Sequence, residues 1–325
     1  LATQDAGADA YNTAVGFWAG LSVTTGIQNT LLGGRAGDAL TTGNYNIAIG
    51  MDALTTEDTG SRSVAIGTNA LFNQNYDGDA YNVAIGMSAG SQVTTGIQNT
   101  LIGGLSGDAL TEGKNNIAIG YSALTAETQG ERNVAIGIFA LGNQNNTSDV
   151  DAYNVAVGYN AGYAVTTGLK NNLLGGLAGD ALTTGSNNVA IGYEALTTED
   201  TGSRNIAIGQ SALGSLNYDG NGYNTAVGHN AGVAMTTGVE NTLIGGLAGD
   251  ALTIGKHNVA IGYDSLSSAD AGDFSVAIGH SALREQNGAS AGDNFYNTAV
   301  GYQAGKSVTT GIQNTLIGGL SGDAI

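Results

Sequence analysis

From Asn46 to Gly67 the chain reads NIAIGMDALTTEDTGSRSVAIG. The stretch opens and closes on nearly the same five residues, seventeen positions apart. Outward from it, five-residue motifs of this kind begin at 12, 29, 46, 63, 82, 99, 116, 133, 154, 171, 188, 205, 224, 241, 258, 275, 297 and 314. That makes 18 copies, spaced by 17 residues except after every fourth copy, where the steps are 19, 21, 19 and 22. Two periods are therefore superposed, a 17-residue unit and a block of four units. The blocks run 12–81, 82–153, 154–223 and 224–296, with a partial block at 297–325. In the first block the four unit types read NTAVGFWAGLSVTTGIQ, NTLLGGRAGDALTTGNY, NIAIGMDALTTEDTGSR and SVAIGTNALFNQNYDGDAY, the last carrying the extra residues.

Seventeen residues is shorter than any helical repeat and suits one coil of a β-solenoid. The expected fold is all-β: a parallel β-solenoid of about 18 coils running through residues 1–325 as one continuous domain. Position five is Gly in all 18 copies and reads as a corner needing positive φ or close approach between coils. The Asn that opens most copies reads as the other corner. Asn tolerates the left-handed region, and its amide can bond the same amide one coil away. Ser63 and Ser275 interrupt that ladder.

Positions two and four point one way and position three the other. Position four is always Val, Leu or Ile, and the expectation is that it fills the coil. Position three is only Ala or Leu, and it is expected to form a small apolar stripe along the outside. Such a stripe exceeds what a monomer leaves uncovered, and a second copy of the chain under cyclic symmetry is the simplest cover. The other reading places both faces inside one wide coil.

Composition narrows the function. The 325 residues include 54 Gly, no Pro and no Cys, so there is neither a disulfide framework nor a thiolate metal site. The net charge of −18 opposes nucleic acid and anionic membrane as partners. No apolar run approaches the roughly 20 residues of a membrane helix. The opening LATQDAGADAY has no signal-peptide pattern.

The motifs NIAIG, NVAIG and SVAIG, with Ala at the eighth position in SVAIGTNA (Ser63 to Ala70), resemble the head repeats of trimeric autotransporter adhesins. The longer TTG…NTxxG versions resemble repeats of bacteriophage tail-fibre proteins. The resemblance covers essentially the whole chain. It implies a left-handed β-roll, a side-by-side homotrimer and an extracellular role in attachment to a host or cell surface. The adhesin repeat is shorter than this one, and no coiled-coil stalk, membrane anchor or tail-fibre chaperone domain is visible. The chain starts in the tail of a fourth unit and stops inside a second, like a window cut from a longer fibre.

Catalysis has little to work with. His229, His257 and His280 sit at different places in the repeat and recur in no other block. There is no nucleophile elbow or phosphate loop. No catalytic, cofactor-binding or metal-ligating residue is assigned, and no enzyme activity is expected. Structural Ca²⁺ is weighed at the GDA carboxylates Asp38, Asp108, Asp180, Asp250 and Asp323, and at the acidic inserts with Asp77, Asp79, Asp149, Asp151, Asp219 and Asp293. The alternative is solvated turn Asp, because the calcium solenoid repeat places its Gly-Gly-x-Gly-x-Asp pattern in every turn.

Paired Thr (Thr24 and Thr25, Thr41 and Thr42, Thr94 and Thr95, Thr166 and Thr167, Thr236 and Thr237, Thr309 and Thr310) suggest either an ice-binding array or a simple stacking ladder. Glu112 and Ile254 interrupt the series, which favours the ladder. The inserts Phe72 to Tyr81, Gly142 to Tyr153, Gly214 to Tyr223 and Arg284 to Tyr296 vary while the coils stay constant. Their Tyr, Asn and Asp suit a glycan or protein receptor, or they are spacers. The closing tyrosines (Tyr11, Tyr81, Tyr153, Tyr223 and Tyr296) are expected to pack on the coil.

Overall fold

The computed structural model describes residues 1–7, 9–288 and 292–323. It is all-β, and its eighteen strands each cover three residues. The chain divides into two compact units, Leu1–Asn160 and Ala161–Ile325. The first holds β1 (Thr13–Val15) to β9 (Val155–Val157), the second β10 (Asn172–Leu174) to β18 (Thr315–Ile317). Within each unit successive strands pair in parallel with like positions opposed, as Ala48 with Ala65 and Ala190 with Ala207. Each unit is thus a β-solenoid with about 17 residues per turn.

Every motif Gly has φ between 119° and 145°. A Cβ on Gly33 would stand 2.4 Å from the Gly50 carbonyl oxygen in the next coil. Both constraints demand glycine. The second expected corner shifts by one residue. The residue before each motif, not the Asn, is left-handed, as at Gln28 (φ 59°), Tyr45 (φ 60°) and Arg62 (φ 64°). The seventh position is left-handed too, as at Arg35 and Asp52. Each such non-glycine residue costs on the order of 1 kcal/mol. Hydrogen bonds between coils offset it: Tyr45 N–H donates to the Ile27 carbonyl (3.1 Å) and Arg35 N–H to that of Phe17 (2.8 Å).

The motif Asn is buried and works differently from the expected amide-to-amide ladder. Asn46 Oδ1 accepts from the backbone N–H of Ser63 (3.0 Å), and its Nδ2 donates across the same coil to the Gly60 carbonyl (2.9 Å). Asn29 does the same with Asn46 N–H (2.9 Å) and Gly43 (2.8 Å). One side chain thereby joins two coils and closes its own. Direct amide contacts occur at fewer steps, as Asn133 Nδ2 to Asn116 Oδ1 (3.1 Å).

The two faces of the strand are the reverse of the sequence expectation. Ala48 and its counterparts at position three in all but the first and last coils are fully buried and fill the coil, whereas Ile47 is 36% exposed and Ile49 partly so. The interior is narrow, and its filling cycles with the four unit types. The second-type coil packs Leu31 and Leu40 beside Gly37. The third replaces these with Ala48, Leu54 and Glu57, and the fourth with Ala65, Leu71 and Gln74. A Cβ on Gly20 would lie 2.6 Å from Leu31 Cδ1, so a large residue at position three requires Gly at position nine nearby. The four-unit block is therefore a packing cycle as well as a spacing of inserts.

Candidate functional site

Two surfaces stand out in each unit: an apolar strand face and the inserts that close each block. On the strand face, positions two and four present rows of Val, Ile, Leu and Thr. Val15, Leu32, Ile85, Ile117, Leu174, Ile191 and Ile244 are all exposed. The residue before the motif borders one edge of these rows. The sixth position borders the other, with Phe17, Met51, Met87, Tyr121, Tyr193 and Tyr263 about half exposed. An apolar surface repeated over nine strands of a unit exceeds the few hundred Å² usual for a monomer. It is built from branched side chains, not from the alanine stripe read from the sequence.

The pre-motif column stacks along itself. The Arg62 guanidinium lies over Tyr45 (5.1 Å) and Tyr81 (5.6 Å), and Arg132 and Arg204 lie over Tyr153 and Tyr223 (5.8 and 5.7 Å). His257, Phe274 and Tyr296 form a continuous stack, with centroids 4.8 and 5.2 Å apart. The closing tyrosines Tyr81, Tyr153, Tyr223 and Tyr296 therefore pack on the outer surface of the preceding coil. They stay about half exposed and cover the preceding pre-motif residue.

The inserts are anchored from inside. Glu57 is fully buried. Its Oε1 accepts from Gly60 N–H (2.7 Å) and Asp58 N–H (3.1 Å), and its Oε2 from Gln74 Nε2 (3.0 Å) and Tyr76 N–H (3.2 Å). Gln74 continues to Ser63 Oγ (2.8 Å) and receives Asn82 Nδ2 (2.9 Å), which explains how a serine replaces the motif Asn there. Glu127 holds Asn146 N–H (2.9 Å) and Glu199 holds Tyr218 N–H (3.2 Å) in the same way. Burial pushes the Glu57 and Glu199 carboxyls above their ordinary range, opposed by these N–H donors. In the sequence nothing sets Glu57, Glu127 and Glu199 apart from Glu112, Glu131 and Glu194.

The insert carboxylates are engaged locally. Asp77 and Asp219 accept from the hydroxyls of Thr59 (2.8 Å) and Thr201 (2.7 Å). Asp79 pairs with Arg62 (3.0 Å), Asp151 with Arg132, and Asp149 with Lys114 (3.6 Å). Short parallel bridges, such as Ser61 with Asp79 and Glu131 with Asp151, dock the inserts on their coils. Asp293 takes part in the corresponding segment, where its carbonyl accepts from Asp273 N–H (2.9 Å). Residues 289–291 of the fourth insert lie outside the described residues.

Three of the GDA carboxylates bond to the next coil. Asp38 accepts from the Thr55 hydroxyl, Asp108 from Thr125 and Asp180 from Thr197 (2.5 Å). Burial raises the Asp180 and Asp250 carboxyls. Among the described residues, no three His, Cys, Asp or Glu side chains gather where they could hold a metal ion.

The histidines are dispersed. His257 Nδ1 lies 3.1 Å from Glu240 Oε2, and His280 stacks between Tyr263 and Tyr302 (5.4 and 5.5 Å). The first Thr of every pair but the last is spent on the ladder. Thr24, Thr94 and Thr166 hydroxyls donate to carbonyls one coil on, at 3.1–3.2 Å. The second Thr faces outward. Among the described residues, no helix is long and apolar enough to cross a membrane. Compared with known families and characterised proteins, the chain matches no family model and no curated protein.

Proposed function

We propose that this chain is a structural and adhesive segment of an elongated extracellular fibre, of the kind found in phage tail fibres and bacterial surface adhesins. In this reading it assembles as a side-by-side homotrimer, extends an attachment device and displays surfaces to a host or cell, without catalytic chemistry of its own. The observation that carries it is the largely solvent-facing pair of rows at positions two and four, Val, Ile or Leu at every position four and Val, Ile or Thr at nearly every position two. A solvated monomer would gain nothing from that surface. Copies of the same chain, packed in parallel, bury it coil by coil and meet identical spacing at every level. The repeat resemblance supports the extracellular setting, and the net charge of −18 leaves nucleic acid an unsuitable partner.

Sedimentation equilibrium tests the assembly. Three chains per particle are expected, falling to one when Ile47, Ile85 and Ile117 are replaced together by Asp. A wild-type monomer at micromolar concentration sinks the reading. A glycan array with wild-type and insert-deleted chains tests display by the inserts: binding lost on deletion makes them the receptor-contacting elements.

A further inference from the structure

Coils of the second type carry glycine at the sixth position, on the border of the apolar face: Gly34, Gly104, Gly176, Gly246 and Gly319. The other recurrent glycines answer to their own chain, through positive φ or through backbone and core atoms within 3 Å of a Cβ. Gly34, Gly104, Gly246 and Gly319 do not. None has positive φ. A Cβ on Gly34 would meet nothing within 4 Å, and on Gly104 or Gly246 a tyrosine ring at 3.6 or 3.5 Å and a backbone oxygen at 3.9 or 4.0 Å, all ordinary contacts. On Gly319 the nearest atom would be 3.9 Å away. The single chain gives no reason for glycine here.

The opposite border offers one. The residue before the motif in these same coils is always long and polar: Gln28, Gln98, Lys170, Glu240 and Gln313. In two third-type coils the sizes reverse, with Asn115 accompanying Tyr121 and Asn187 accompanying Tyr193. In the first-type coils of Tyr153 and Tyr296 both borders are aromatic, with Tyr159 and Tyr302 opposite. Positions two and four lie between the two columns. Their recorded ring contacts run along each column, as in Tyr45–Arg62–Tyr81 and Tyr263–His280–Tyr302.

We infer that the two columns meet between chains. The pre-motif side chain of one copy lies over the sixth-position residue of the same coil in the next copy. The inference rests on the side-by-side assembly proposed above and adds its contact and register. In a parallel cyclic assembly the leading edge of each face meets the trailing edge of the next. A slip of one coil in one direction would set Gln98 against Tyr121 and Tyr81 against Gly104, and in the other direction would leave Asn115 over Gly104, so either slip brings overpacking or a void. The four-coil period thereby selects the register.

The absence of cysteine makes the test direct. Two differently tagged chains, Asn115→Cys and Tyr121→Cys, are co-expressed and oxidised. A disulfide joining unlike chains is expected, and none when Met87→Cys, two coils away, replaces Tyr121→Cys. Assembly without the first link, or with both links equally, overturns the contact while leaving the assembly intact. A monomer in the ultracentrifuge overturns the assembly itself. As a second arm, Gly104→Tyr is expected to keep the coil's circular dichroism and to weaken association about tenfold or more. Gln98→Gly in the same chain should restore it. Wild-type association by Gly104→Tyr alone also overturns the inference.

Discussion

The ring of Phe295 lies against Gly272 in the place where the Glu57 carboxylate lies against Gly60. A Cβ on Gly272 would be 2.7 Å from Phe295 Cδ2, and a Cβ on Gly60 2.5 Å from Glu57 Cδ. The fourth block has Ala269 where the earlier blocks have Glu57, Glu127 and Glu199, and Phe295 where they have Ala80, Ala152 and Gly222. Two positions change together, so one cavity beneath the insert is filled either by a hydrogen-bonded carboxylate from the coil or by an aromatic ring from the insert.

Transplanting this exchange should work. Glu57→Ala alone strands the N–H groups of Gly60 and Tyr76 and opens a cavity, and is expected to cost about 3 kcal/mol. Adding Ala80→Phe is expected to recover more than half of that in urea unfolding. A double variant no more stable than the single one would sink the equivalence.

The same buried carboxylates predict a pH response. Burial raises Glu57 and Glu199 in the folded chain above 4.5, the value of a free Glu side chain. The folded state therefore binds protons more readily than the unfolded one. Their contribution is fully present below about pH 4.5 and is lost as pH rises through the raised values. Thermal unfolding at pH 7 and pH 5 should show a gain on acidification. That gain should shrink in the variant carrying Glu57→Ala, Ala80→Phe and Glu199→Ala. An unchanged slope would refute the assignment to these groups.

Removing one rung of the asparagine ladder should be costly. Asn46→Ala leaves Ser63 N–H and the Gly60 carbonyl without their buried partner, at about 3 kcal/mol. Thr42→Ala, on an exposed threonine, should change stability by less than about 0.5 kcal/mol. Chemical denaturation of the two variants side by side distinguishes them. Equal effects would mean the ladder is dispensable.

Two glycines one position apart should behave oppositely. Gly33→Ala places a Cβ 2.4 Å from a backbone oxygen at φ 141° and is expected to cost at least about 3 kcal/mol. Gly34→Ala, with no atom within 4 Å, should leave the melting of a single chain nearly unchanged and report only on assembly. A large intrinsic loss at Gly34 would point to a constraint within the coil.

The sequence by itself determined the period, the number of coils, the parallel stacking and the glycine corner, because each follows from residues recurring at a constant spacing. The carboxylates of the inserts and GDA turns were visible, but their Thr, Arg and Lys partners sit near 17 residues away or beyond and only meet once coils stack. The direction of the strand was decided by tertiary structure. Alternation separates Ala48 from Ile47 and Ile49 but cannot say which side is inside when both are apolar. Where position three is alanine in third- and fourth-type coils, a buried leucine such as Leu54 or Leu71 already fills the interior, so alanine packs within and isoleucine is left on the surface. That leaves the larger side chains, not the smaller, for whatever covers the face.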